Sequence, residues 1–290
     1  MHRTIDIDGH QLACIEHNAS AKNPPIIYLH GILNTICIQE AALTSILEGK
    51  RWIALSLPGH YPAKLRDDFQ ADQLTPEFIG DVLSKAIREI SGGEPVHLIG
   101  HSTGGFSCMA IALAAPDLIR SICLVDAFAQ GKWHSLALRP LQLMAKIPGM
   151  GYPIFSAYSR VAMGNRTLTK LFLRFISYQF KTVRENPAYA DSLATILKET
   201  SLLNPADFYP YFRYMPTTSI VPSLKNIHIP TCIIHGKYDP VILPEHARDM
   251  DSQLPDSEMV WLDNCGHDPF SEAFDTLSDA IQDWYHKFDC

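Results

Sequence analysis

No cluster of Lys and Arg in this 290-residue chain exceeds a few residues, so the electrostatic footprint of a nucleic-acid binder is missing. No apolar run approaches the roughly 20 residues that a membrane helix needs. The seven cysteines, Cys14, Cys37, Cys108, Cys123, Cys232, Cys265 and Cys290, contain no CxxC pair, and their odd number does not suit a closed disulfide framework. The opening residues, MHRTIDIDGHQL, lack the basic start and apolar core of a signal peptide. The expectation is a reducing, cytoplasmic setting in which cysteines act as small apolar residues. Internal repeats and low-complexity tracts are also absent. Charged residues make up only 19% against 47% hydrophobic, with a net charge of −7, which fits a soluble globular chain and excludes wholesale disorder.

What is present is an alternating rhythm. Thr4–Asp8 and Gln11–Glu16 flank a "DGH" turn and predict an opening hairpin. Ile26–Leu29, Trp52–Leu55, Val96–Ile99, Ile122–Val125 and Thr231–His235 are short and almost wholly apolar, as strands buried on both faces are. Glu258–Leu262 reads as the last strand. Between them, Ile38–Leu47, Thr75–Ile90 and Gly104–Ala115 have helical character, with Pro76 in a first turn and "SGG" as a stop. A helix from about Glu245 and one from about Pro269 to Lys287 follow. Strands alternating with helices predict an α/β fold with a doubly wound, mostly parallel sheet.

From about Phe128 to Asn226 the rhythm stops. No buried strand is evident there. Apolar residues at 168, 171, 172, 175 and 176 mark a helical stripe within Leu168–Phe180. The expected organisation is a core of residues 1–127 and 228–290, interrupted by a helical insertion at 128–227. That insertion is rich in aromatics: Trp133, Phe155, Tyr158, Phe172, Phe175, Tyr178, Phe180, Phe208, Tyr209, Tyr211, Phe212 and Tyr214. About two thirds of these should pack within it, and the remainder could line an apolar pocket for an acyl or aryl group.

The chemistry concentrates at "GHSTG", Gly100 to Gly104, which matches G-x-S-x-G. Alone the pattern is weak, expected by chance in roughly one chain in ten of this length. Here it follows an apolar strand and opens a helix, the setting of a nucleophile elbow. The turn is crowded, so small residues flank the serine, and Gly105 lets the next helix pack close. A serine hydroxyl needs a base, and the base needs an orienting acid. His267, in "DNCGHDPF", follows the last strand and so lies at the same sheet edge as Ser102. For the acid, Asp239 in "HGKYDPVI" lies after the preceding strand at that edge, and the order Ser102, Asp239, His267 is the order such a triad takes. Asp126, ending the strand after the elbow helix, is the alternative acid. "YLHGIL" supplies a second backbone donor in Ile32, beside that of Thr103, for an oxyanion; His30 is expected to tie its loop down.

Together "HGIL", "LPGHYPA", "GHSTGG", "HGKYDPVILP" and "CGHDPF", in this order and spacing, resemble the α/β-hydrolase superfamily of the helical-cap type. The resemblance implies Ser102 as nucleophile, Asp239 as acid, His267 as base, and the Ile32 and Thr103 N–H groups as oxyanion hole. It implies no metal and no organic cofactor. One departure is "SLPGHYPA" where relatives often carry an Asp before the PGHG loop. Another is Ser, not Asp, at the elbow, which argues against dehalogenation and epoxide opening. The expected activity is hydrolysis of a carboxylic ester through an acyl-enzyme. The same machinery would also serve a thioester, a lactone, a carbon–carbon bond or a perhydrolase side reaction, or persist in a slow-turnover ligand-binding receptor. The expected partner is a small-molecule substrate, with no nucleic acid and no membrane span; an exposed aromatic cap leaves room for a homodimer. Cys37 and Cys265, near the site, are expected to be inert thiols.

Overall fold

A computed structural model describes residues 2–288; Met1, Asp289 and Cys290 lie outside the described residues. Eight strands form one sheet in the order β1-β2-β4-β3-β5-β6-β7-β8. They are β1 Arg3–Ile7, β2 His10–His17, β3 Ile26–Leu29, β4 Trp52–Leu55, β5 Val96–His101, β6 Ile119–Val125, β7 Thr231–Gly236 and β8 Ser257–Leu262. The β1–β2 and β2–β4 pairs are antiparallel and every other pair is parallel. The opening hairpin turns on Asp8 and Gly9, both at positive φ, as a tight two-residue turn requires.

The wholly apolar strands are covered on both faces. On β3, Ile27 and Leu29 face one layer, while Ile26 and Tyr28 face the other. The first layer includes α2 (Pro76–Ser91) and α3 (Thr103–Ala114); the second includes α1 (Glu40–Ile46) and the C-terminal helix. Helix α2 starts as its sequence suggests: Thr75 caps the Phe78 N–H, Pro76 occupies the first turn, and Gly92 closes the end in the left-handed region.

Between β6 and β7 the chain forms six helices: α4 (Arg139–Ala145), α5 (Gly151–Ala162), α6 (Arg166–Ile176), α7 (Phe180–Glu185), α8 (Tyr189–Thr200) and α9 (Pro205–Tyr214). The chain returns to the sheet and continues with α10 (Pro244–Gln253), α11 (Pro269–Glu272) and α12 (Phe274–Phe288). Two sequence expectations need correction. The helical stripe of 168–180 stops at Ile176, because the Ile176 carbonyl accepts from the His267 N–H at 2.8 Å and is lost to a continuing helix. The C-terminal helix expected from Pro269 to Lys287 is two helices, broken at Ala273. The apolar spacing runs across that break, so periodicity carried no sign of it.

Candidate active site

Ser102 stands between the end of β5 and the start of α3 at φ 53° and ψ −114°. A non-glycine residue rarely adopts a positive φ, and such strain persists only where the surroundings impose it. Here the Ser102 N–H is held by the Val125 carbonyl at 2.9 Å, which pins the turn to β6. The two glycines after Thr103 are required by close approach. A Cβ on Gly104 would run into the Leu29 carbonyl of β3, and one on Gly105 into the Ala127 side chain. The crossing of α3 over the sheet is therefore possible only with glycine at these places.

Three distant segments meet at the serine. The Ser102 hydroxyl donates to His267 Nε2 at 3.1 Å, and His267 Nδ1 donates to Asp239 Oδ2 at 2.6 Å. The other oxygen of Asp239 accepts from the Val241 and Ile242 N–H groups at 2.7 and 2.9 Å. The carboxylate is thus oriented by its own loop before it meets the imidazole. All three side chains are buried. Burial alone would lower the proton affinity of His267. Asp239 opposes it, with smaller help from Asp126 and Asp268, and the net shift is upward from 6.5.

Asp126 is also there, but it faces another way. Its Oδ1 accepts from the Gly236 N–H at 2.8 Å, and His235 Nδ1 lies 3.6 Å from the same oxygen. Burial, then the neighbouring Asp239 charge, holds its carboxyl well above the ordinary range, which favours the neutral form. A neutral acid stabilises an imidazolium less than a carboxylate does. The structure therefore pairs His267 with Asp239 and turns the bonded oxygen of Asp126 to the Gly236 N–H instead. His101 packs on His267 with ring centroids 5.2 Å apart, and burial, with the neighbouring His267, pushes it down to about 3. Two trios, His101–Asp126–His267 and Asp126–His235–Asp239, gather metal-ligand atoms within 4.8 Å of one another. In the second trio, hydrogen bonds to Val241, Ile242, Gly236, His267 and the Ile242 carbonyl occupy most of those atoms, whereas in the first His267 is engaged by Ser102 and Asp239 while the His101 nitrogens and Asp126 Oδ2 have no hydrogen-bond partner among the described residues.

The loop after β3 comes up beside the serine. A Cβ on Gly31 would lie 3.4 Å from Ser102 Cβ and 3.2 Å from His101 Nδ1, so glycine lets the backbone approach. Its tether is as expected. His30 Nδ1 donates to the Gly31 carbonyl at 2.8 Å, and His30 Nε2 accepts from the Leu57 N–H at 3.3 Å. Burial pushes this imidazole down to about 4, so it stays a neutral structural link. The Thr103 N–H, first in α3, has no acceptor within its helix. Ile32 and Ser102 border the same cavity. At the departure in "SLPGHYPA", the Ser56 hydroxyl accepts from the Ala13 N–H at 2.8 Å and serves the sheet.

That cavity, about 340 Å³, lies between the sheet edge and the helices of 128–227. Its wall is mostly aliphatic and aromatic, and of the fifteen aromatics in the insertion four line it: Trp133, Tyr158, Phe172 and Phe175. Phe155, Phe208, Tyr211 and Phe212 are instead completely buried among α5 and α9. Cys37 and Cys265 carry thiols that burial pushes up, Cys37 to about 11, so neither is an activated nucleophile.

Glu272 carries a role that the sequence reading missed. Its Oε2 accepts from the Tyr178 and Gln179 N–H groups at 2.7 and 2.9 Å, while Oε1 accepts from Gly266 and Asp268 at 3.1 and 3.4 Å. One carboxylate thus clamps the α6–α7 joint to the loop that carries His267. Burial pushes Glu272 up to about 7 against the pull of these donors, so above that pH all four are served by the ionised form. Tyr178 stacked on Tyr238 at 4.1 Å adds to the seam, as do Thr35 donating to Glu199 at 3.0 Å and Tyr211 donating to the Pro58 carbonyl at 3.0 Å. No local pattern marks Glu272; the only signal is its place five residues after His267.

A family model described as alpha/beta hydrolase fold matches residues 24–274. Among curated proteins, the chain is 24% identical over 277 residues to the pimeloyl-[acyl-carrier protein] methyl ester esterase of Nitrosomonas europaea, covering 93% of this chain and all of that protein. Among solved structures, a thermophilic esterase from Thermogutta terrifontis superposes with a TM-score of 0.76 at 19% identity, covering 100% of both chains. The 2-hydroxy-6-oxo-6-phenylhexa-2,4-dienoate hydrolase of Rhodococcus sp. strain RHA1 superposes with a TM-score of 0.76 at 14% identity, covering 99% of this chain and 98% of that one. At these identities the structural matches establish the fold alone.

Proposed function

Since the chain belongs to the α/β-hydrolase fold family, we propose that it is a serine hydrolase that cleaves carboxylic esters carrying an apolar acyl or aryl group. The observation that carries this reading is the relay from Ser102 through His267 to Asp239 at the floor of an apolar cavity. His267 Nε2 takes the Ser102 proton as Oγ attacks the ester carbonyl. The tetrahedral oxyanion is held by the N–H groups of Ile32 and Thr103, each worth about 3–4 kcal/mol to the transition state. His267 then gives its proton to the leaving alcohol, and the acyl group remains on Ser102. A water that loses a proton to the same nitrogen releases the acid. Asp239 keeps the Nδ1 proton in place and stabilises the imidazolium at each stage.

Residues 128–227 act in this reading as a cap over the core of 1–127 and 228–290, and its apolar wall sorts substrates by acyl size. The ester reading is supported by the curated relative named above, which is itself named as a methyl ester esterase. The test is intact mass after fluorophosphonate treatment of wild type and Ser102→Ala, followed by p-nitrophenyl esters from acetyl upward. One adduct lost in the variant, with turnover lost alongside it, is the expected result. Unchanged ester turnover in Ser102→Ala would sink the mechanism, and an adduct with negligible steady-state turnover would favour a ligand-binding receptor.

A further inference from the structure

Between Ala127 and Arg184 the chain carries nine cationic side chains and no Asp or Glu, while the rest holds all 31 acidic residues and the other 15 of the 24 Lys and Arg. This is a strong partition for a chain with a net charge of −7. Helix α6 shows its form. Arg166, Lys170 and Arg174 recur every fourth residue, all exposed, and beside them lie Leu171 and Phe175, which are 45% and 42% exposed. The α4–α5 turn repeats it. Leu143, Ile147, Met150, Ile154 and Val161 stand out to solvent with the exposed Lys146 and Arg160 among them. Of the twelve large hydrophobic side chains exposed among the described residues, eleven lie in the insertion. Its ion pairs among the described residues are Lys181–Glu185 and Lys198–Glu199, so the cations of α4 to α6 face no carboxylate. The α6 part of this surface reaches the cavity, because Leu136, Leu171 and Phe175 are exposed and also line it.

We propose that this face docks on an anionic lipid surface, with its aliphatic side chains in the headgroup–acyl boundary and its cations among the headgroups. Cations beside protruding aliphatics are the chemistry of an interfacial helix pair, and anionic lipid adds attraction for each cation. Two other occupants fit less well. A second copy, related by a two-fold axis, would set this cationic face against itself. A protein partner would be expected to grip several Trp, Tyr or Arg in fixed pockets, whereas the exposed α4–α5 set holds one aromatic, Tyr152, against five non-aromatic apolar side chains, which suits hydrocarbon that needs no matching shape. Docking of this kind stands without the hydrolase reading. One consequence rests on that reading: an ester with a long acyl chain would enter the cavity from the lipid side, past Leu136 and Phe175.

Flotation of full-length Ser102→Ala protein, which cannot digest the lipid, tests the docking. The vesicles are phosphatidylcholine alone and phosphatidylcholine mixed with phosphatidylglycerol. Binding to the anionic vesicles that weakens with added salt is the expected result. Lys146→Glu/Arg160→Glu and, separately, Ile147→Ser/Met150→Ser should each lower that binding at least about tenfold. On the otherwise unaltered chain these pairs should leave p-nitrophenyl acetate turnover unchanged, which shows that they fold. No binding, equal binding to neutral vesicles, or unchanged binding in both double variants would overturn the proposal. So would capture of the protein by an acidic carrier protein without any vesicle binding. Vesicle binding by a wild-type chain that turns over no ester would leave the docking intact and defeat the hydrolase reading.

Discussion

The sheet half and the helical insertion of this molecule bury their residues by different rules. In the sheet half, β3 to β7 are hydrogen-bonded on both sides and covered on both faces, and buried polar groups such as Asp239, Asp126 and His235 are fixed by backbone partners. The insertion has short helices, a compact aromatic knot at α5 and α9, and a rim of aliphatic side chains left in solvent. The halves also oppose each other in charge. A reactive centre needs groups held within a few tenths of an ångström, which a ladder and a packed core provide. Selection of a greasy substrate needs volume and surface, which loosely patterned helices provide. Glu272 sits where the two requirements meet.

The largest expected effects lie in the sheet half. Asp239→Asn should lower kcat by about four orders of magnitude, through loss of the carboxylate that stabilises the His267 cation. Asp126→Asn should lower it by no more than about tenfold, because its bond goes to Gly236. Steady-state kinetics on p-nitrophenyl acetate check both, and the reverse order would give the acid role to Asp126. The pH profile sharpens the same contrast. His267 must be unprotonated to take the serine proton, and its proton affinity is raised, so kcat/KM should fall as pH drops through a value above 6.5. In Asp239→Asn that limb should move to lower pH.

The seam should respond less. Glu272→Gln leaves two of four backbone N–H groups facing an amide NH2, so a drop in kcat of about tenfold and a loss of about 1–3 kcal/mol in stability are expected. The assay belongs at pH 8, where the wild-type carboxylate is ionised, and Glu272→Asp should recover little because the shorter side chain cannot span both loops. Full activity in Glu272→Gln would mean that the insertion and the His267 loop are positioned independently. The smallest effect belongs to the insertion. Phe172→Ala, in the cavity wall, should leave acetyl ester turnover within about twofold and shift preference among longer acyl groups by about tenfold, equivalent to about 1.4 kcal/mol of apolar contact. A flat chain-length profile in both proteins would separate the wall from substrate choice.

Much of the sheet half was legible. The limits of β3 and β4 coincide with their apolar runs, because a strand buried on both faces must be apolar at every residue. The elbow was legible for the same local reason: only a crowded turn at a sheet edge needs Gly100, Gly104 and Gly105 around one serine. Less of the insertion could be read. The end of α6 at Ile176 depends on His267, ninety-one residues later, whose N–H claims the carbonyl that would continue the helix. The break at Ala273 lies where Glu272 turns toward α7, and no periodicity records that.

The amino-acid sequence by itself determined the α/β class, the position of the strained serine and the three residue types that surround it, since each follows from short-range sterics and burial period. It also determined the charge partition, which is a property of composition. Tertiary structure alone decided that Asp239 and not Asp126 meets His267, because two carboxylates at one sheet edge differ only in the backbone donors that turn them. It alone decided that Glu272 joins the halves, and that apolar side chains of α4, α5 and α6 line one cavity with Ser102. Those outcomes depend on contacts between segments far apart in the chain, and such contacts leave no pattern in any one of them.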